Sequence, residues 1–185
     1  MERFHPRENY DPRKKGHVLE AEWFGKVFEP LSYEEFNEIY DALSEEARER
    51  ITFEATEDDA KGRQPRLDYP FKPTKKPARD IREAIAKELG LEVEDKRLRL
   101  YTAVWSIHDY KHSVDAWVEF DEGETTKKVT LGITGNPKKE KNKIYNPDIE
   151  ILVEKEGGLD PIEDKEEYEA KIDETVFRIM EKLGH

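Results

Sequence analysis

Alternating apolar and polar positions predict three strands in the second half of the chain. Residues 98–105, 114–120 and 128–134 place apolar side chains at every second position, which is the period of a strand with one buried face. Short connections separate these strands, so we expect them to pair antiparallel. A lysine-rich segment follows the third strand, and alternating isoleucine and valine residues then predict a fourth strand over 149–153.

Apolar positions spaced three and four apart predict helices around these strands. Ser32 and Glu35 form a capping box, and the apolar stripe that follows predicts one or two helices over 32–50. A second helix is predicted over 78–89, where Gly90 is a natural stop. A third is predicted from about 161 to the end of the chain.

The fold class that follows is α+β, with a mixed sheet of four or more strands flanked by helices in the order αβββ-β-α. Residues 1–53 form a helical N-terminal extension, in which 1–16 is an irregular arm. The pattern of 17–28 fits a short strand or a helix. Prolines predict a linker without a long element over 54–77, because proline lacks an amide donor and fixes φ. Residues 78–185 form the core domain.

Composition narrows the possible functions. The chain has 44 acidic and 32 basic residues and a formal net charge of -12. Proteins that coat nucleic acid are usually basic, so a phosphate backbone could be contacted only through a local basic patch. The absence of cysteine excludes disulfides, thiolate metal sites and cysteine nucleophiles. The abundance of lysine and glutamate is typical of thermophilic proteins.

The start of the chain shows no apolar run of the kind found in signal peptides. No stretch approaches the roughly 18 consecutive apolar residues of a membrane-spanning helix. The expectation from these two observations is a cytoplasmic protein.

Asp115 is the strongest single candidate for chemistry. It is the only aspartate in the second strand, and the alternation places it on the same face as Glu119. A carboxylate on the polar face of a strand can bind Mg²⁺ beside a phosphate. The alternative is a structural role, in which Asp115 lies at a strand edge and bonds to a turn amide or pairs with a lysine.

Two histidines and several aromatic residues offer weaker signals. His108 and His112 have the spacing of metal ligands on a helix, but they lie between two strands, which favours solvated turn residues. No glycine-rich phosphate loop and no nucleophilic serine motif is present. Four aromatic side chains near the second strand could stack bases, but packing of the sheet against a helix is the favoured interpretation. They are Tyr101, Trp105, Tyr110 and Trp117.

The order of elements over about 78–183 and the segment YTAVWSIHDYKHSVDAWVEFDEGETTKKVTLGITGNPKK, residues 101–139, resemble the PD-(D/E)XK nuclease-like superfamily. Its members cleave phosphodiesters with Mg²⁺. An aspartate of the second strand and an acid of the third hold the metal, and a lysine two residues further orients or activates the attacking water. A glutamate of the first helix sometimes joins them.

The resemblance implies that Asp115 is the second-strand metal ligand. It places the third-strand acid at Gly132 and the lysine at Thr134, and neither residue can perform the role. Glycine offers no ligand and threonine carries no positive charge. The catalytic motif is therefore degenerate at two of its positions.

Other residues could replace the missing groups. Glu119 could supply a second metal-binding carboxylate, and Glu83 would be the acid of the first helix. Lys138 or Lys139, beyond the end of the third strand, could replace the lysine that is missing at Thr134. The catalytic candidates are thus Asp115, Glu119, Lys138 and Lys139, and the metal candidates are Asp115, Glu119 and Glu83, with Mg²⁺ or Mn²⁺ as the cofactor.

Three hypotheses follow. The first is a non-catalytic binding or accessory module with a nuclease-like core, whose partner is a nucleic acid or a protein. The second is a Mg²⁺-dependent nuclease, and the third is a different α+β fold. The first two differ in one observable property, which is whether a second carboxylate comes within reach of Asp115.

Overall fold

The computed structural model describes residues 12–135, 146–155 and 158–185. Within these ranges the chain forms seven helices and a mixed four-stranded sheet flanked by helices, which confirms the predicted α+β class. The helices are α1 Pro12–Phe24, α2 Tyr33–Ala42, α3 Glu45–Glu49, α4 Phe53–Gly62, α5 Lys76–Glu88, α6 Ile107–His112 and α7 Lys165–Leu183. The strands are β1 Leu98–Thr102, β2 Ala116–Glu122, β3 Thr125–Thr134 and β4 Ile149–Leu152.

The sheet has the strand order β1-β2-β3-β4. The first three strands pair antiparallel, as their short connections predict, and β4 lies parallel to β3. Trp117 of β2 lies opposite Tyr101 on one side and Thr130 on the other. Gly132 of β3 lies opposite Glu150 of β4.

The main hydrophobic core lies between one face of the sheet and helices α1, α5 and α7. Burial of apolar side chains from all of these elements is the principal stabilising contribution to the fold. The strands contribute alternate residues, because successive side chains of a strand point to opposite faces. Fully buried members include Ile81, Ile85, Leu100, Val118 and Ile179.

A second, smaller cluster lies on the opposite face of the sheet. Trp117 packs there with Ala60 of α4 and with Ala103 and Val114, which flank α6. Tyr101 stacks on Trp117 with ring centroids 5.0 Å apart. The two faces of the sheet are thus covered by different helices.

Helix α4 contradicts the prediction that no long element forms over 54–77. The first proline of that segment is Pro65, so the residues of α4 keep their amide donors and can form the helix. Thr52 caps α4, because its side chain accepts a hydrogen bond from the amide of Ala55 at 3.2 Å.

Two predicted boundaries also change. Helix α1 begins at Pro12, so 12–16 is helical rather than irregular, and 17–28 is helical as far as Phe24. Proline is favoured at the start of a helix because the first amides have no partner within the helix. The first strand ends at Thr102 instead of residue 105, since Trp105 takes a positive φ of 66° that a strand does not allow.

The segment between β1 and β2 is the helix α6, which overturns the prediction of solvated turn residues. Ser106 caps this helix, and its side chain accepts a hydrogen bond from the amide of Asp109 at 3.3 Å. His108 and His112 are both buried against the second cluster. None of the helices in the described ranges is both long enough and apolar enough to cross a membrane.

Candidate metal centre

Three buried carboxylates meet where α1, α6 and the start of β2 come together. Glu20, Asp109 and Asp115 each offer one ligand oxygen, and these oxygens all lie within 4.8 Å of one another. The residues retain 8%, 6% and 4% of their surface, respectively. We call this group the carboxylate cluster. It places two further carboxylates, those of Glu20 and Asp109, near Asp115, which is the property that separates a nuclease from a non-catalytic module.

Backbone hydrogen bonds fix Asp115 at the entrance to β2. Its amide donates to the carbonyl of Leu131 at 2.9 Å, and its own carbonyl accepts from the amide of Ala103 at 2.8 Å. Its Oδ2 accepts from the amide of Ile133 at 2.6 Å. Ser113, in the left-handed region with φ 57°, reverses the chain after α6. Asp115 is therefore held between its two neighbours in the sheet.

Asp109 reaches the carboxylate cluster from the first turn of α6. Its Oδ2 accepts a hydrogen bond from the amide of Trp105 at 2.9 Å, and this contact orients the carboxylate. Trp105 adopts φ 66°, a conformation that is rare for a bulky residue and stores strain. The turn from β1 into α6 therefore positions this acid.

Glu20 reaches the carboxylate cluster from α1. Its neighbours Leu19, Ala21, Trp23 and Phe24 belong to the main core, so the helix is anchored on both sides of the glutamate. Burial of a carboxylate is unfavourable unless other groups compensate for the lost hydration. The packing of α1 therefore places this acid at the carboxylate cluster.

The arrangement is close to what a small divalent cation requires. Mg²⁺ binds oxygen at about 2.0–2.1 Å with octahedral geometry, so two oxygens on one ion are separated by roughly 3–4 Å. The carboxylate oxygens of Glu20, Asp109 and Asp115 lie within 4.8 Å of one another. A movement of less than about 1 Å per side chain would bring all three to bonding distance of one ion. Carboxylate oxygens are also the ligands that Mg²⁺ and Mn²⁺ prefer.

Glu119 lies elsewhere, in a network of charged side chains on β1, β2, β3 and α4. Its carboxylate lies 2.7 Å from Lys61 Nζ and 3.3 Å from Arg99 Nε, and it accepts from Trp117 Nε1 at 3.3 Å. Lys61 also pairs with Glu57 at 3.0 Å. The structure thus assigns Glu119 to ion pairs and does not group it with Asp115.

The network ends at Asp121, whose carboxylate accepts from Arg99 at 2.6 and 2.7 Å. These bonds, together with one from Thr126, lower the pKa of Asp121 from 3.8 to about 2. The Asp121 side chain is about one third exposed, so solvent screens part of this stabilisation.

Asp121→Asn is expected to lower the free energy of unfolding by about 1 kcal/mol at pH 7. A carboxylate whose pKa is lowered on folding stabilises the protein above its unfolded pKa, and the effect is lost as the pH falls through the folded pKa. The difference between wild type and variant should therefore shrink between about pH 4 and pH 2. Urea unfolding at several pH values measures it, and a difference independent of pH would contradict this assignment.

The remaining sequence candidates lie apart from the carboxylate cluster. Glu83 is exposed on α5, where it borders shallow grooves together with Arg79 and Val93. It is not a member of the group of carboxylates around Asp115. Lys138 and Lys139 lie outside the described residues.

Gly132 shows why β3 carries no acid at the expected position. It follows Leu131, the last residue of β3 that pairs with β2, and it lies opposite Glu150 of β4. A Cβ atom added to Gly132 would lie 2.8 Å from Cγ of Pro147 and 3.4 Å from the carbonyl oxygen of Ser113. The proline ring therefore fills the space that a side chain would need.

The two histidines have a packing role. His108 Nδ1 lies 2.8 Å from Thr56 Oγ1, and its ring packs edge-on against Phe53 at 4.5 Å and Trp117 at 5.6 Å. Burial lowers the pKa of His108 to about 3, with smaller contributions from His112 and Lys128. Burial also lowers the pKa of His112. Both rings are therefore neutral near neutral pH.

The four aromatic residues near the second strand all pack against other parts of the fold. Trp117 is fully buried and stacked on Tyr101, and the Tyr110 hydroxyl donates to the carbonyl of Leu31 at 2.6 Å. Trp105 is half-buried, packs against the main core and has Lys26 Nζ 3.9 Å from its ring centroid. These contacts confirm the packing interpretation for all four rings.

Glu20 and Asp109 were not among the sequence candidates. A signal for Asp109 exists in the spacing Ser106-x-x-Asp109, which is a helix-start pattern and would have placed the acid in a first turn. No local signal marks Glu20, because its proximity to Asp115 depends on how α1 packs on the sheet.

Comparison with known proteins places the chain in no family. No protein-family model, no curated protein and no solved structure matches it. Membership of the PD-(D/E)XK nuclease-like superfamily therefore stays a prediction from the sequence.

Proposed function

We propose that this protein holds a divalent cation, Mg²⁺ or Mn²⁺, between Glu20, Asp109 and Asp115 and uses it to cleave phosphodiester bonds in nucleic acid. The observation that carries the proposal is the convergence of the three buried carboxylates on one point. Sequence reasoning selects Asp115 independently, from its place in the second strand and from the nuclease resemblance.

Electrostatics supports a cation at this position. Ionised carboxylates a few ångströms apart repel each other, and burial strengthens the repulsion because the effective dielectric constant falls. A divalent cation between Glu20, Asp109 and Asp115 would convert this repulsion into attraction. The hydrogen bonds from Ile133 to Asp115 and from Trp105 to Asp109 hold two of the carboxylates in place, as outer contacts do in metal sites.

The chemistry follows from the charge of such an ion. A bound Mg²⁺ polarises a phosphoryl oxygen and lowers the pKa of a coordinated water. The three side chains supply the negative charge that retains the ion, and they come from separate elements, so the intact fold is needed to assemble the site.

A non-catalytic binding module is the second candidate. It is favoured by the proline ring over Gly132, which excludes an acid from the expected position on β3. Thr134 likewise provides no positive charge at the expected lysine position. A module of this kind would retain the metal for stability or for contact with a phosphate, without cleavage.

The test is a cleavage assay on single- and double-stranded DNA and RNA with Mg²⁺, with Mn²⁺ and with EDTA. We expect cleavage that requires metal and falls at least about 100-fold in Asp115→Asn. Glu83→Gln is the matched control, since it removes one carboxylate charge from an exposed position on α5 and should cleave like the wild type.

The outcomes separate the candidates. Cleavage lost in Asp115→Asn and retained in Glu83→Gln supports the enzyme. Metal binding without cleavage of any of the four substrates supports the non-catalytic module. Equal cleavage by wild type and Asp115→Asn would show that a different site, or a contaminating nuclease, is responsible.

A further inference from the structure

Arg82 on α5 is a buried cation without a carboxylate partner. It retains 1% of its surface, and its guanidinium donates to the backbone carbonyls of Val93, Asp95 and Leu98. Among the described residues, no carboxylate forms an ion pair with Arg82, and its Nε has no hydrogen-bond partner. Burial lowers the pKa of Arg82, because the carbonyls do not neutralise its charge. Buried charges are ordinarily paired, so this one favours an anion nearby.

Arg82 lines a surface groove of about 390 Å³ together with further hydrogen-bond donors. Lys72, Thr74 and Arg79 line the same groove, and all three are exposed. Lys72 pairs with Glu94 at 2.8 Å, whereas Arg79 forms no ion pair with any residue that the structure describes. Two guanidinium groups, an ammonium and a hydroxyl thus meet in one groove, and these are donors that proteins use for phosphate.

The first turn of α5 lies beside this groove, because Thr74 lines the groove and Lys75 is the N-cap residue of the helix. The side chain of Lys75 forms no capping hydrogen bond, and the first turn carries no acidic residue. The amides of Lys76 and Ala78 have no acceptor within the helix. The positive end of the helix dipole therefore also favours an anion here.

A second cavity, of about 630 Å³, continues the groove along α5, since Glu83 and Val93 line both. Ala84 and Leu91 also line this part, and both are partly buried apolar side chains. Small-molecule sites combine apolar surface with a few polar groups that fix orientation. The continuous groove, called the α5 groove below, therefore suits a phosphate group that carries an apolar remainder.

We propose that the α5 groove binds a small phosphomonoester. The phosphate pairs with Arg79 and with the first amides of α5, near the unpaired charge of Arg82. The apolar remainder lies along Leu91 and Val93. The α5 groove shares no residue with the carboxylate cluster, so the inference does not rest on the proposed function.

Glu83 is the acid that opposes an anion in the α5 groove. The other nearby acid, Glu94, is engaged by Lys72. Glu83 is exposed and forms no ion pair within the part of the chain that the structure describes. Its removal should therefore strengthen phosphate binding, and this gain cannot be confused with a loss of folding.

The first experiment is an NMR titration of the isotope-labelled protein with inorganic phosphate and with phenyl phosphate, both in EDTA. We expect saturable shifts of the Arg82 Nε–H resonance and of the amides of Lys76 and Ala78, with tighter binding of phenyl phosphate. No shift of these resonances, or equal shifts with sodium chloride of the same ionic strength, would overturn the inference. Because EDTA removes any metal, failure of the metal centre leaves the result unaffected.

The second experiment compares the affinity of variants for phenyl phosphate. Arg79→Gln should weaken binding about 10-fold, because it removes a charged hydrogen-bond donor. Glu83→Gln should strengthen binding about 3-fold, because it removes the opposing charge. Lys182→Gln on α7 is the matched control, since it removes one exposed cation far along the chain from the α5 groove and should bind like the wild type.

Four results would contradict the α5 groove as a phosphomonoester site. They are equal affinity of wild type and Arg79→Gln, equal losses in Arg79→Gln and Lys182→Gln, weaker binding in Glu83→Gln, and tighter binding of inorganic phosphate than of phenyl phosphate. An oligonucleotide without a terminal phosphate should not compete with phenyl phosphate. Competition would assign the α5 groove to backbone phosphates and overturn the small-molecule ligand.

Discussion

Asp115→Asn is expected to lower the affinity for Mn²⁺ at least about 100-fold, whereas Glu119→Gln leaves that affinity unchanged. Replacement of an outer contact of a metal site costs 10- to 100-fold, so loss of a direct ligand should cost at least as much. Glu119 is paired with Lys61 and Arg99 and lies outside the carboxylate cluster, so its amide variant has no direct effect on the metal. Titration calorimetry of both variants measures the two affinities.

Asp115→Asn and Glu119→Gln should also differ in their effect on the free energy of unfolding. Glu119→Gln removes one of the two carboxylate partners of Lys61 and of Arg99, which keep Glu57 and Asp121, and we expect a loss of about 2 kcal/mol in the free energy of unfolding. This value lies below that for a fully buried pair because the side chain of Lys61 is 31% exposed. Without metal, Asp115→Asn relieves repulsion from Glu20 and Asp109. It should therefore lower the free energy of unfolding by less than Glu119→Gln does. The reverse pattern, with Mn²⁺ affinity lost in Glu119→Gln alone, would place the metal in the ion-pair network.

Gly132→Ala is expected to destabilise the protein by about 2 kcal/mol, although it adds a single methyl group. The added Cβ would lie 2.8 Å from Cγ of Pro147, well inside ordinary contact distance, so the proline ring must move. Gly132→Glu, which restores the acid of the nuclease motif, should be at least as destabilising and should not strengthen metal binding.

A double-mutant cycle isolates the contact between Gly132 and Pro147. If the clash is the cause, Gly132→Ala should cost less in a Pro147→Ala background than in the wild type, with a coupling of about 1 kcal/mol or more. Gly62→Ala on α4 is the matched control, because nothing lies within 4 Å of a Cβ at that position. Additive effects at positions 132 and 147 would show that the proline ring is not what excludes a side chain.

The sequence predicts the sheet well because strand periodicity is a local property. The four strands and the helices α5 and α7 follow from apolar spacing, and the antiparallel pairing of the first three strands follows from their short connections. Helix α6 was missed because it is short and polar, and because His108 and His112 were expected to face solvent. Only the Ser106 cap distinguishes that segment from a turn.

The candidate site could be predicted only in part, because its members come from distant parts of the chain. Asp115 is marked by its place in a strand. Glu20 is separated from Asp115 by five helices and one strand, and their proximity depends on the packing of α1. Glu119 was expected beside Asp115, but the lysine and arginine around it come from α4 and β1, which strand periodicity does not reveal.

The most direct test of the metal centre is anomalous diffraction from crystals soaked in Mn²⁺. We expect one strong peak at about 2.1–2.2 Å from carboxylate oxygens of Glu20, Asp109 and Asp115. Its absence at millimolar Mn²⁺, or a peak located only at Glu119 or Glu83, would contradict the assignment of the carboxylate cluster as the metal site.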